Sequence, residues 1–181
     1  MRILCLDPGT TNFGLSILQV NGKKLSIEGS KTVKNLVKDM KNPEAKYKAF
    51  KKELRALGKF DLVVAERFQA RGNKGPTIEC ISLMLGALLE LYPGKTIFLT
   101  ASTWKNRVNK VFDLKEYYED LKQAQAPVRP ISARKTVHEL DSSLMGLYAF
   151  FRHTKQPYYA SFASEKARYG YLKMFLNSAK L

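Results

Sequence analysis

Three carboxylates in this chain stand where an apolar segment has little use for a charge. Asp7 ends the run RILCLD and is followed by the turn formers Pro8-Gly9-Thr10-Thr11-Asn12; Glu66 ends FDLVVAE; Asp141 lies in the apolar run LDSSLMGLYAFF, beside Ser142 and Ser143. Burying an unpaired carboxylate is costly, so each acid needs a cation, a metal or a hydrogen-bonding turn as partner. Taken alone, Asp7 reads as well as the cap of a turn. His138, three residues before Asp141 and so on the same helix face, reads alone as a solvated or hydrogen-bonded histidine. Together they read differently. If the strands ending in Asp7 and Glu66 are neighbours, the two acids face each other, and a helix packed across the sheet brings Asp141 and His138 to the same point. Like charges so close raise one another's pKa unless a divalent cation intervenes. Hard oxygen ligands suit Mg²⁺ or Mn²⁺, and two such ions about 3.5–4 Å apart clamp the attacking and leaving oxygens of a phosphodiester.

The charge balance agrees with such a substrate. Lys and Arg number 31 against 16 acids, a formal net charge of +15, which favours polyanionic partners, nucleic acid first, with general solubility as the plainer alternative. At 181 residues and 45% hydrophobic content the expectation is one domain, residues 1–181, able to bury a substantial core. Cys5 and Cys80 sit in apolar segments and show no metal-binding spacing, so they read as reduced core residues. A strand expected from residue 2 leaves no room for a signal or transit peptide, and no uninterrupted apolar run reaches about 18 residues. The expected location is the cytoplasm, with no membrane partner.

The elements that must position the acids form an α/β pattern. Strands are expected at Met1–Leu6, Phe13–Val20 and Lys23–Val33, the last two joined by the hairpin signal Asn21-Gly22. A lysine-rich linker, 34–42, leads to a helix opening at Pro43, with Tyr47, Phe50, Leu54 and Leu57 on one face and Gly58 as its stop. Lys46, Lys48, Lys51, Lys52 and Arg55 occupy mostly the other face, which reads as solvated or as a backbone-phosphate surface. After the strand Phe60–Ala65, the loop RFQARGNKGP carries Phe68, Arg71 and Lys74 among glycines, suited to gripping phosphates and stacking on a base; packing of Phe68 into the core is the alternative. The apolar helix Thr77–Tyr92 follows, then the strand Lys95–Leu99 leading into TASTWK. A short amphipathic helix is expected at Asp113–Ala124. Its acids Asp113, Glu116, Glu119 and Asp120 are interspersed with lysines and tyrosines as on an ordinary surface helix. Pro127, Arg129 and Pro130 form a basic connector. Ser132 is the expected N-cap of a long core helix over 133–153, which carries Arg134 near its start. A loop at 156–163 and a basic helix at 164–178 complete a C-terminal extension, 156–181.

Asp7 in LDPGTTNFGLS, Glu66 in LVVAERF and the late HELDSSLMGLYA resemble the motifs of the RuvC-like Holliday junction resolvases, a group with an RNase H-like fold found in bacteria, phages and some viruses. The likeness covers residues 1–153 in order. It implies a mixed five-stranded sheet, three antiparallel strands then parallel ones, flanked by helices. It implies that Asp7, Glu66 and Asp141 are catalytic, metal-binding acids, with His138 in a fourth place taken by Asp in some members and His in others. Lys105 in TASTWK falls at a strand-end motif and is read as a phosphate contact; Arg71, Lys74, Arg129 and Arg134 complete the expected DNA-binding set with Phe68. The family's probing aromatic stands three residues past the second acid, whereas Phe68 stands two past Glu66. The resemblance further implies a homodimer, with helix 77–91 as the expected interface. Bound to a four-way DNA junction, it would use two Mg²⁺ (or Mn²⁺) per site to nick two strands of like polarity and leave 5′-phosphate ends.

The same opening, D-x-G-T-T, also begins the phosphate loop of actin-like ATPases and sugar kinases. That reading needs a second similar domain and a second glycine-rich loop, which 181 residues do not offer. An RNase H-type or broader branched-DNA nuclease would share the metal site, and a non-enzymatic DNA-binding module would share the fold without turnover.

Overall fold

Strand β1 (Arg2–Asp7) lies at the centre of a five-stranded sheet whose order is β3-β2-β1-β4-β5, with β2 at Asn12–Asn21, β3 at Lys24–Lys34, β4 at Leu62–Glu66 and β5 at Thr96–Leu99. The chain is seen in a computed structural model that describes residues 1–9, 11–22, 24–34, 42–67, 75–112, 136–153, 171, 172, 174 and 175. Strands β1, β2 and β3 pair antiparallel, and β4 and β5 add parallel to β1. This is the expected mixed sheet. The Asn21-Gly22 hairpin forms with Gly22 at φ 59°, in the left-handed region that glycine enters without a Cβ clash.

A central strand is covered on both faces, and the period of two sorts its side chains. Leu4 and Leu6 enter one core layer with Phe13, Leu15, Val63, Ala65, Phe50 and Met84. Ile3 and Cys5 enter the other, with Leu18, Val64, Trp104, Leu140 and Leu144. Helices α1 (Pro43–Ala56) and α2 (Gly75–Leu91) supply the first layer; α3 (Ala101–Phe112) and α4 (Val137–His153) supply the second.

Helix α1 begins as expected. Asn42 caps it, its Oδ1 accepting from the Glu44 and Ala45 amides at 2.8 and 3.3 Å, with Pro43 in the first turn. Lys48, Lys52 and Arg55 are exposed as a solvated face requires, and Lys46 is the exception. Lys46 is buried and meets Glu79 of α2 at 3.6 Å, because positions 46, 50 and 54 share one stripe. Lys48 pairs with Glu44, Lys51 with Glu90, and Lys31 of β3 with Glu53, so acids neutralise much of this face.

One helix is found that was not expected, and the start of another is corrected. The segment after β5 is already helical from Ala101: Thr100 opens it, its Oγ1 and carbonyl accepting from the Thr103 amide at 3.3 and 2.9 Å. The helix expected at 113–124 and the connector after it lie outside the described residues. The long core helix starts at Val137 rather than 133, because Thr136 is its cap: Thr136 Oγ1 accepts from the Glu139 amide at 3.2 Å, and its carbonyl from Leu140 at 3.0 Å. Ser132 lies outside the described residues, as do the linker 35–41 and most of the C-terminal extension. Leu172 and Phe175 of that extension are buried in the α4 layer, where the Tyr171 and Phe151 rings lie 6.2 Å apart. Helix α2 buries Cys80, Ile81, Met84, Ala87 and Leu88 but leaves Ser82, Gly86 and Leu89 exposed. Among the described residues no helix is long and apolar enough to cross a membrane.

Candidate metal centre

Parallel pairing fixes the first two acids. Leu6 lies opposite Ala65, so the next residue on each strand, Asp7 and Glu66, stands at the same level of the sheet. Alternation places both on the face of Ile3, Cys5 and Val64, the face that α4 covers. The third acid depends on how closely α4 approaches. Gly14 lies opposite Asp7 in the β1–β2 ladder, and a Cβ there would sit 2.4 Å from the His138 carbonyl oxygen and 2.6 Å from its carbon. Farther along, a Cβ on Gly146 would sit 2.3 Å from Leu18 Cδ1 and 2.4 Å from Cys5 Sγ. Glycine at both points lets the helix lie directly on the strands.

Hydroxyl groups fix the register of that contact. Ser16 Oγ of β2 lies 2.7 Å from Ser142 Oγ and 2.8 Å from Ser143 Oγ, and both helix serines donate to the Glu139 carbonyl at 2.9 and 2.8 Å. All three serines are fully buried. Buried polar groups satisfied in this way specify one alignment. The small residues next to Asp141 therefore tie its helix to the sheet.

Each acid meets a donor from the protein. His138 Nδ1 lies 2.7 Å from Asp7 Oδ2, Lys105 Nζ donates to Asp141 Oδ2 at 2.6 Å, and Trp104 Nε1 donates to Glu66 Oε2 at 3.0 Å. The electrostatics show the groups acting on one another. Burial, then Asp7 and more weakly Asp141, pushes the Glu66 pKa above the ordinary carboxylate value, against the pull of Lys105 and the Trp104 bond. The Asp7 bond raises His138 against its burial. Burial alone would lower Lys105, but Asp141, Glu66 and Asp7 together outweigh it and its pKa rises.

The donor set fits a hard divalent cation in kind: three carboxylates, two of which add to the burial that raises Glu66, and one imidazole. As the side chains stand, no three Asp, Glu, His or Cys groups among the described residues form an ion cage. Asp141 faces the Lys105 ammonium, Asp7 the His138 imidazole and Glu66 the Trp104 indole instead.

Asp7, Glu66, His138 and Asp141 are thus brought within electrostatic reach of one another, and Lys105, read from the sequence as a phosphate contact, pairs with Asp141. Phe68, Arg71, Lys74, Arg129 and Arg134 lie outside the described residues. Sequence reasoning misses Trp104, and with it the helix that sets it. The available signal is Trp104 and Val108 at an i, i+4 spacing after a Thr100-x-x-Thr103 start; both side chains are fully buried.

No family model matches the chain, and no curated protein matches it by sequence. Solved structures do match in shape. Thermus thermophilus RuvC in complex with a Holliday junction substrate superposes with a TM-score of 0.58 at 16% identity, over 85% of this chain and 96% of that one. The yeast mitochondrial Holliday junction resolvase gives 0.53 at 16% identity, over 97% of this chain and 81% of that one. The fowlpox virus Holliday junction resolvase gives 0.50 at 16% identity, over 85% and 99%. The fold of this chain is therefore that of the RuvC-like Holliday junction resolvases, as the sequence resemblance implies.

Proposed function

We propose that this protein is a divalent-metal-dependent endonuclease that resolves four-way DNA junctions by paired, symmetric nicks, leaving 5′-phosphate ends. The observation that carries the reading is the convergence of Asp7, Glu66 and Asp141, from two adjacent strand ends and one crossing helix, within the fold of the junction resolvases. RuvC of Thermus thermophilus has been seen with a Holliday junction substrate, and a net charge of +15 suits the same class of ligand here. Asp7, Glu66, Asp141 and His138 would hold Mg²⁺ or Mn²⁺, two ions per site. Bound there, the metal supplies Lewis acidity at the phosphodiester and offsets the clustered negative charge. The chain's own residues do the rest. His138 holds a proton on the Asp7 side of the site, Lys105 offers an ammonium to a phosphate oxygen, and the buried floor under Glu66 limits access of water. Phe68, Arg71, Lys74, Arg129 and Arg134 are proposed to grip the DNA. A homodimer, meeting through the exposed face of α2, would give two equivalent sites for the two equivalent scissile phosphates of a two-fold junction.

The test is a synthetic four-way junction, a matched duplex and an RNA–DNA hybrid, each incubated with Mg²⁺ or with EDTA. Paired nicks on the junction alone are expected, lost in EDTA and in Asp7→Asn. Equal cutting of the hybrid would establish an RNase H-type enzyme instead, and no cutting of any substrate would leave a binding module.

A further inference from the structure

Helix α3 makes a contact with Glu66 that the three acidic motifs do not include. The chain has one tryptophan, Trp104, fully buried among Cys5, Val64, Leu99, Val108 and Leu140. Its amide donates to the Thr100 carbonyl at 3.3 Å in the first turn of α3, next to the end of β5. From there its indole Nε1 reaches Glu66 Oε2 at 3.0 Å.

We propose that Trp104 is a positioning residue for Glu66: its indole N–H, anchored in the core, fixes which oxygen of that carboxylate turns inward and presents the other to a divalent cation. The inference rests on the metal reading above and deepens it. An indole N–H can only donate, and a buried donor left without an acceptor is costly, so the pair is held in one arrangement. The ring is clamped by apolar neighbours and the donor is neutral, so an arriving cation does not repel it. Lys105, in contrast, brings charge to Asp141. Partners of this kind, which orient a ligand without touching the metal, change metal affinity by about 10–100-fold when removed.

A lone tryptophan on a ligand carboxylate also makes the site report on itself. The test uses the full chain freed of metal, titrated with Mn²⁺ by calorimetry and with diamagnetic Mg²⁺ by tryptophan emission, in the wild type, Glu66→Gln and Trp104→Phe. Trp104→Phe keeps an aromatic ring and removes the N–H. It is expected to raise the Mn²⁺ dissociation constant about tenfold or more. The wild-type emission should change over the Mg²⁺ range that supports binding, and Glu66→Gln should lose that change. An unchanged dissociation constant in Trp104→Phe, or a wild-type emission that Mg²⁺ leaves unmoved while Mn²⁺ binds, overturns the positioning role and spares the metal reading. Absence of any Mn²⁺ heat in the wild type overturns both. If Trp104→Phe does not fold, the emission comparison between wild type and Glu66→Gln decides.

Discussion

Replacing Gly14 by alanine tests whether the close approach of α4 to β2 places His138 on Asp7. The new Cβ would lie 2.4 Å from the His138 carbonyl oxygen, against about 3.4 Å for ordinary contact, so the helix start or the strand must give by about 1 Å. Both clashing partners are backbone, β2 inside its ladder and α4 inside its first turn. Neither can swing away as a flexible side chain would. Overpacking costs typically about 1–3 kcal/mol, and this site belongs at the upper end. At about 2–4 °C per kcal/mol for a chain of this size, the melting temperature falls by about 6–12 °C. The same shift stretches the 2.7 Å His138–Asp7 contact beyond hydrogen-bond reach. His138 then loses the bond that raises its pKa, and its titration, followed by NMR, moves down. A raised histidine stabilises the fold fully below its unfolded pKa, and that stabilisation is lost as pH rises through the folded value. The deficit of Gly14→Ala is therefore largest in acid and narrows toward alkaline pH. The control is Gly29→Ala in β3, where nothing lies within 4 Å of the added carbon. There, the reduced freedom of the unfolded chain leaves stability unchanged or higher by up to about 1 kcal/mol. Equal melting temperatures and equal His138 titrations in the two variants would refute the reasoning.

Ser16→Ala removes the β2 hydroxyl of the buried serine cluster and should cost about 1–2 kcal/mol, read as a lower urea midpoint with an unchanged slope. Glu28 accepts both Nε and Nη2 of Arg2, which holds its carboxyl below the ordinary value. Its stabilisation is present above the unfolded pKa and lost as pH falls through the folded one. Glu28→Gln should therefore cost at most about 1 kcal/mol at neutral pH, since the pair is partly exposed, and nothing near pH 2, as thermal melts across pH would show. On the metal reading, Mg²⁺ at ten times its dissociation constant adds about 1.4 kcal/mol of stability. EDTA reverses that gain, and Asp7→Asn does not show it.

The acids were legible because each interrupts an apolar segment that has no other use for a charge. Asp7 and Glu66 end strands whose side chains are buried on both faces, so an acid at the last position marks where the buried part of the sheet ends. Asp141 was legible for the same reason inside α4. Helix α3 was hidden because ASTWKNRVNKVF offers only one clear apolar repeat, Trp104 and Val108, and short helices take most of their stability from tertiary packing rather than from pattern. Lys46 was misplaced because its charge was weighed above its position: it lies on the Phe50–Leu54 stripe and is buried against Glu79 of another helix. The serine cluster was visible only as small residues beside an acid. Its partner, Ser16, is 126 residues from Ser142 in sequence, a separation that local pattern does not register.

The three donors on the three acids differ in what they can give up, and this orders the events on the proposed reading. Lys105 is half-buried, and its ammonium also lies 5.1 Å from the centre of the Trp104 ring. A flexible side chain of this kind can leave Asp141 for a phosphate oxygen once another cation takes its place. His138 is likewise partly exposed and keeps Asp7 aligned through a bond that depends on its proton. Trp104 is neutral and wholly buried, so its hold on Glu66 survives any exchange of charge in the site. A divalent ion would therefore meet Glu66 already fixed, Asp7 aligned by the imidazole, and Asp141, whose lysine it competes with. Lys105→Met removes that competition at Asp141 without adding a charge. It should raise metal affinity in the absence of DNA while lowering junction cleavage, because the ammonium that meets the phosphate has gone. Weaker metal binding in Lys105→Met would show instead that the lysine holds Asp141 in place for the ion.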